Sequence, residues 1–227
     1  MKEIFKQYGL YIFIAIAALQ IIAIHFNFPA LRFISKPLLM PVLAIVVYSN
    51  CAKCSERNFI IAALMFSFLG DSFLLLEDKH PLFFIFGLVS FFITHILYII
   101  YFLGIKLLGN SLLKTHPYLP LLIAGYGAGL VYFLYPWLGE MKVPVMLYAA
   151  IICSMLLCSI HIYKSVQPEV GLQFIAGAVL FVFSDSLLAI NKFYQPFQFA
   201  AILIMLTYCG AQYCLVRGFI KQKKKTT

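Results

Sequence analysis

Charged residues are scarce in this sequence, and acidic residues are the scarcest of them. Only 11% of the 227 residues are charged, with eight Asp or Glu against seventeen Lys or Arg. A soluble domain carries about 25% charged residues. Hydrophobic residues make up 63%, and the mean hydropathy is +0.97. The composition therefore excludes an ordinary soluble domain and predicts a protein embedded in a lipid bilayer.

Continuous apolar runs of about twenty residues recur along the chain, and each is long enough to cross a hydrocarbon core of roughly 30 Å. Pro81, Pro117 and Pro144 stand near the starts of three runs, where a missing N–H costs a helix nothing. We therefore predict an all-α integral membrane protein, a single polytopic domain over residues 1–227. Its eight predicted spans are 8–26, 31–49, 58–76, 82–105, 117–136, 143–163, 172–190 and 197–219.

The basic residues predict the orientation of the chain. Eight spans place both termini on one side, which would carry twelve of the seventeen Lys and Arg. Cytoplasmic termini follow from the positive-inside rule, in the cell (inner) membrane if the protein is bacterial. A basic cytoplasmic tail at about 217–227 suits contact with anionic lipid, so the net charge of +9 does not indicate nucleic-acid binding.

Two aspartates lie inside predicted spans, whereas the other six acidic residues fall in loops or near the termini. Asp71 lies near the end of the third span and Asp185 near the end of the seventh. An intramembrane carboxylate is costly unless it is paired, protonated or open to water, which makes each a functional candidate. A hydrogen-bonded structural aspartate near a helix end is the alternative.

The same two aspartates begin two similar segments, Asp-Ser-Phe-Leu-Leu and Asp-Ser-Leu-Leu-Ala, which lie 114 residues apart. A four-helix unit duplicated in parallel would give two four-helix halves with both carboxylates at one depth. A chance match in an apolar chain explains five residues equally well.

Other polar side chains recur at helical spacing. Gly87, Phe91, His95 and Tyr98 share one face of the fourth span, with His95 near mid-membrane. Hydrogen bonding between helices is the alternative role for such groups. The remaining candidates are Tyr148 in the sixth span, Tyr208 and Gln212 in the eighth, and Lys36 before Pro37 in the second, where a lysine either meets a carboxylate or a phosphate or snorkels to the interface.

Taken together, these residues resemble the YhhN-like family of lysoplasmalogenases. The resemblance rests on Lys36-Pro37, Gly70-Asp71-Ser72 with Leu74-Leu75, Phe86-Gly87 with Phe91, His95 and Tyr98, Pro144-Val145 with Tyr148, Gly177-Ala178 with Phe181-Val-Phe-Ser184-Asp185-Ser186, and Tyr208 with Gln212. It implies eight membrane helices and hydrolysis of the vinyl-ether bond of a lysophospholipid. The implied products are a fatty aldehyde and a glycerophospho-ethanolamine or -choline.

This chemistry needs a proton donor and an anion or base. We therefore expect Asp71 and Asp185 to form the acid/base pair across one cavity, without a metal or another cofactor. The expected substrate-binding and orienting residues are Lys36, His95, Tyr98, Tyr148, Tyr208 and Gln212.

Two other functions fit the same residues. A proton-coupled transporter could use Asp71 and Asp185, with a helix interrupted near Gly125, Gly127 and Gly129 in the fifth span. A metal-dependent hydrolase could use both aspartates with His95 as ligands, although the lone Cys51-Ala-Lys-Cys54 does not indicate zinc. The oligomeric state is left open by the sequence.

Overall fold

The structure, a computed structural model, describes residues 2–109 and 111–226, without the side chains of residues 225 and 226. Over the described residues it consists of helices and short connections, with no β-strand. The α-helices are α1 Lys2–His25, α2 Pro29–Asn50, α3 Ser55–Leu74, α4 Pro81–Leu103, α5 Leu112–Thr115, α6 Tyr118–Leu134, α7 Lys142–His161, α8 Pro168–Ala189 and α9 Ala200–Thr226.

Within the described ranges, eight helices are long and apolar enough to cross a membrane, and only the short α5 is not. The predicted all-α fold with eight spans is therefore confirmed, and the chain is an integral, multi-pass membrane protein. Two helices extend at least six residues beyond one end of their predicted spans, because hydropathy marks the membrane and not the limit of helical hydrogen bonding. The first, α1, starts at Lys2, and α9 runs through the basic tail to Thr226. The side chain of Lys225 and residue 227 of the predicted tail lie outside the described residues.

The chain divides into two compact units. The first is Met1–Tyr101 with Lys223–Thr227, and it contains α1 to α3 and nearly all of α4. The second is Phe102–Gln222, and it contains α5 to α8 and most of α9. Each unit therefore has four of the membrane-spanning helices and one of the two intramembrane aspartates.

In the first unit, a tight turn joins α1 to α2. Asn27 adopts a left-handed conformation (φ 52°), the Phe28 N–H donates to Ala23 O at 2.9 Å, and the Asn27 N–H donates to Ile24 O at 3.2 Å. This pattern caps the last carbonyls of a helix. Farther along the two helices, the buried Ser35 hydroxyl donates to Gln20 Oε1 at 2.6 Å. Thus α2 is fixed against α1 at the residue before Lys36.

In the second unit, α6 packs against α7 and α7 against α8. A π-helical turn, Ile190–Tyr194, continues α8. Its Tyr194 ring lies 5.0 Å from the Phe133 ring and 4.8 Å from the Trp137 ring, measured between centroids. Tyr and Trp gather at membrane–water interfaces, so this aromatic cluster marks one membrane face at the end of α8.

Candidate functional site

Asp71 lies in the last turn of α3 and is buried, with its residue 2% exposed. Lys36 on α2 places its Nζ 3.6 Å from Asp71 Oδ1, within ion-pair distance. The Lys36 side chain is 16% exposed, so the ammonium does not snorkel freely to the interface. The structure therefore places the Lys36 ammonium beside the carboxylate of Asp71.

Two glycines bring α3 and α4 together next to Asp71. A Cβ on Gly70 would lie 2.7 Å from the Phe91 ring, and a Cβ on Gly87 would lie 2.9 Å from Leu74 Cδ2. Neither position has room for a larger residue without a shift of its neighbour. The Gly70-Asp71 and Phe86-Gly87 signatures therefore define a packing contact that fixes the end of α3 carrying Asp71.

A buried polar contact joins the same two helices deeper along their length. Ser67 Oγ lies 3.2 Å from Thr94 Oγ1, and the Thr94 hydroxyl is 3.1 Å from Ala63 O. His95 and Tyr98 follow on α4 and are 0% and 1% exposed. Their burial agrees with the interior face that the spacing predicted. Thr94 was not among the predicted residues, although it directly precedes His95.

Asp185 lies on α8 and is partly buried. The Tyr148 hydroxyl on α7 donates to Asp185 Oδ2 at 2.5 Å. Beside it, the Tyr126 hydroxyl on α6 donates to Ser186 Oγ at 2.8 Å, and the Ser186 hydroxyl donates to Val182 O at 2.7 Å. Three helices thus contribute to one hydrogen-bonded group around the end of α8.

A cavity of about 50 Å³ adjoins this polar group. Its lining includes Tyr126, Tyr148, Asp185 and Ser186, and the other lining residues are apolar except Cys153 and Gly127. A site that holds a water needs about 10–15 Å³ of such volume and two or more polar partners, and both conditions are met here. A carboxyl group beside a phenol in an apolar cavity can exchange a proton with a small bound molecule.

On α9, Tyr208 and Gln212 are 4% and 0% exposed. The Tyr208 ring meets the Phe181 ring edge-on with centroids 5.6 Å apart. A Cβ on Gly177 would lie 2.7 Å from Leu215 Cγ, so α8 and α9 also approach closely. The Gly177 and Phe181 signatures therefore have a packing role that positions α8.

The sequence model of the YhhN family matches residues 31–219. The chain belongs to the YhhN family. The predicted resemblance is confirmed, and the matched segment contains Lys36, Asp71 and Asp185 with nearly all of the helices that hold them.

Several curated relatives of this YhhN-family protein carry the name lysoplasmalogenase. Lysoplasmalogenase TMEM86A of Bos taurus is 33% identical over 170 residues, which cover 73% of this chain and 66% of the relative. The lysoplasmalogenase of Mycobacterium bovis is 28% identical over 171 residues, covering 72% and 61%. Lysoplasmalogenase TMEM86B of Mus musculus is 31% identical over 186 residues, covering 80% and 73%. The chain thus spans slightly less than two thirds of the first two. No solved structure matches it significantly.

The structure of the YhhN-family protein adds two residues that the sequence did not single out as site residues. Tyr126 lies between Gly125 and Gly127. In the transporter alternative, these glycines predicted an interrupted helix, and Tyr126 itself was not considered. However, α6 is continuous from Tyr118 to Leu134, so the helix is not interrupted there. Ser186 belonged to a quoted signature, but nothing in its spacing indicated a tyrosine partner on another helix.

Within residues 2–109 and 111–226, no three or more His, Cys, Asp or Glu side chains are grouped so that they could hold a metal ion. The Lys36 ammonium lies beside Asp71, and the Tyr148 hydroxyl lies beside Asp185.

Proposed function

We propose that this protein is a lysoplasmalogenase, which hydrolyses the vinyl-ether bond of a lysoplasmenyl phospholipid. The products would be a fatty aldehyde and a glycerophospho-ethanolamine or -choline. The observation that carries the proposal is the Tyr148–Asp185 pair in a mostly apolar cavity within the membrane-spanning region. The relatives named lysoplasmalogenase support the same reaction class.

The reaction consumes one water. An acid protonates the β-carbon of the vinyl ether, and the double-bond electrons form the new C–H bond, which leaves an oxocarbenium ion. Water adds to the α-carbon and loses a proton to a base. The resulting hemiacetal collapses to the aldehyde and the glycerol hydroxyl, and the proton balance is restored. Two carboxyl groups in different environments divide these steps, as in glycoside hydrolysis.

The surroundings of each aspartate support a division of roles. An ammonium at ion-pair distance stabilises a carboxylate anion, so we assign to Asp71, beside Lys36, the anion that stabilises the oxocarbenium ion and directs water. Asp185 is then the proton donor, and its hydrogen bond with Tyr148 orients the carboxyl group. The other orienting residues in the proposal are His95, Tyr98, Tyr208 and Gln212.

The proposed orientation has cytoplasmic termini, with twelve Lys and Arg on that side against five. In this orientation the carboxyl-terminal ends of α3 and α8, and with them both aspartates, belong to the outer half of the bilayer. Access for the lysophospholipid from the non-cytoplasmic leaflet follows.

The test gives the purified protein a lysoplasmalogen and its acyl-ester analogue and measures aldehyde release. We expect aldehyde from the first substrate and no cleavage of the second, because only a vinyl ether yields an oxocarbenium ion on carbon protonation. Absence of turnover with pH-driven solute uptake into proteoliposomes would refute the proposal and support a carrier.

Variants of the two carboxyl groups test the residue assignment. Asp71→Asn and Asp185→Asn are each expected to lower aldehyde release by about a hundredfold or more, the usual contribution of general acid or base catalysis. The matched control is Glu140→Gln, a change in an exposed loop between α6 and α7. A folded Asp→Asn variant with the wild-type rate would show that its carboxyl group is not used.

A further inference from the structure

The second unit, which contains Asp185, has another, larger cavity between α6 and α7. Its volume is about 510 Å³, within the range of small-molecule binding sites. Small residues make up half of its lining. They are Ala124, Gly127, Ala128, Ala149, Ala150 and Cys153.

This groove opens on the outer surface of the two helices. Tyr132 and Met146 line it and are 84% and 49% exposed. The lining runs on α6 from Ala124 to Tyr132, which corresponds to about 12 Å at the α-helical rise, and continues to Tyr135 just after the helix. Because both helices span the membrane, the groove faces lipid along this length.

The groove adjoins the Asp185 cavity, because the two share four lining residues. The shared residues are Gly127, Val131, Ala149 and Cys153. Gly127 is where the helices are closest, since a Cβ there would lie 2.8 Å from Cys153 Sγ. The groove and the cavity are therefore neighbours, and two of the residues between them, Gly127 and Ala149, have little or no side chain.

We propose that the α6–α7 groove binds the hydrocarbon chain of the lysophospholipid, which enters sideways from the bilayer, so that the vinyl ether reaches the Asp185 cavity. This inference rests on the proposed lysoplasmalogenase function. The occupant is assigned as a single hydrocarbon chain because the lining is apolar apart from tyrosine, serine and cysteine. The groove also adjoins the cavity lined by Asp185, the carboxyl group that would protonate the chain's first double bond.

The groove contributes positioning more than affinity. Moving a chain from lipid tails into an apolar groove removes no hydrocarbon from water, so the usual gain for burying CH₂ groups does not apply. A filled groove should therefore lower kcat for long chains and leave their KM nearly unchanged.

Filling the groove away from the Asp185 cavity tests this proposal. Ala150 lines the groove but not that cavity, and Leu147 lines neither and is 58% exposed on the same helix. We expect Ala150→Trp to lower kcat for a long-chain lysoplasmalogen at least about tenfold relative to a short-chain one. Leu147→Trp should match the wild type with both. Equal chain-length preference in all three proteins would overturn the proposal.

A reversible cross-link provides a second test in a single preparation. Gly127→Cys places a thiol beside the native Cys153, at a spacing that a disulfide can bridge. Oxidation should abolish most long-chain turnover, and a reductant should restore it. The control is Gly127→Cys combined with Cys153→Ser, and its turnover should not change when the oxidant is added. Unchanged turnover after complete cross-linking would contradict entry through this junction.

A binding readout separates the groove from the reaction. A lysophospholipid with a photoreactive group in its alkyl chain should label α6 and α7 in the wild type, and Ala150→Trp should lose that labelling. Labelling without aldehyde release would refute the lysoplasmalogenase proposal and retain the groove as a chain site. Aldehyde release with labelling confined to other helices would refute the groove alone.

Discussion

Lys36 Nζ lies 3.6 Å from Asp71 Oδ1, and this ion pair joins α2 to the last turn of α3. Pro37 follows the lysine inside α2, where its ring removes one helical hydrogen bond. The Lys36-Pro37 signature therefore combines a cation with a local irregularity in the helix that presents it. The charge beside Asp71 depends on the path of α2 as well as on the lysine itself.

Lys36→Met should destabilise the protein by about 2 kcal/mol, because the Asp71 carboxylate loses a partly desolvated cation. The loss should be smaller than the roughly 3–5 kcal/mol found for fully buried pairs, since the Lys36 side chain is 16% exposed. Thermal unfolding in detergent measures it, with Lys36→Arg as the charge-conserving control. The double variant with Asp71→Asn should recover part of the loss, and strictly additive effects would contradict a stabilising pair.

Tyr148→Phe should lower kcat for aldehyde release by about tenfold and leave KM nearly unchanged, because it removes the hydroxyl that orients Asp185. Steady-state kinetics with a lysoplasmalogen measure both constants. Tyr126→Phe removes the neighbouring bond to Ser186 and should have a smaller effect, since that hydroxyl does not contact the carboxyl group. Tyr11→Phe, on an exposed face of α1, is the control. A change confined to KM would assign Tyr148 to binding instead.

The number and positions of the membrane helices were predictable from the sequence because bilayer thickness sets the length of an apolar run. The ends of α1 and α9 were not, because Lys2 to Gln7 and the basic tail continue the helix although they are polar. Lysine and glutamine are good helix formers, so hydropathy alone underestimates such helices.

The partners of the two aspartates were only partly predictable. Lys36 and Asp71 stand near the same predicted membrane face, which restricted the choice to a few carboxylates. Tyr148 was a candidate through its signature, but its bond to Asp185 depends on the register of α7 against α8, which hydrophobic periodicity does not fix. Tyr126 was missed for the same reason, since a tyrosine in an apolar helix carries no sign of its partner.

The proposed orientation predicts which thiols react from which side. Cys54 lies between α2 and α3 and should react with a membrane-impermeant maleimide only from the cytoplasmic side, in a Cys51→Ala background. The introduced thiol of Glu140→Cys should react only from the opposite side. Labelling of sealed cells and inverted vesicles measures both. Labelling of Cys54 from outside would reverse the topology.

The neighbouring Cys51 should react slowly even where the reagent has access. Burial raises the pKa of the Cys51 thiol from 9.0 to about 11, so little thiolate is present near pH 8. In a Cys54→Ala background the larger cause of the raised pKa, burial, remains, so the alkylation rate should keep rising well above pH 9. A midpoint near 9 would show that the thiol is exposed to solvent.

Gly70 of α3 and Gly125 of α6 should respond oppositely to substitution by alanine. Gly70→Ala places a Cβ 2.7 Å from the Phe91 ring, so the ring or α4 must shift, at a cost of about 1–3 kcal/mol. A Cβ added at Gly125 would meet no atom of the described residues within 4 Å, so Gly125→Ala should be neutral or stabilise the helix by up to about 1 kcal/mol. Thermal unfolding of the two variants measures the difference.

Aldehyde release distinguishes a general loss of stability from displacement of the Asp71 carboxyl group, which we propose to be catalytic. Gly70→Ala should also lower kcat, because the residue that must move lies against the turn carrying Asp71. Adding Phe91→Leu should recover both stability and kcat, since the smaller side chain relieves the contact at Gly70. If Phe91→Leu restores the stability of Gly70→Ala but not its kcat, the position of α3 alone does not determine the contribution of Asp71 to kcat. Equal stability of Gly70→Ala and Gly125→Ala would contradict the close α3–α4 contact itself.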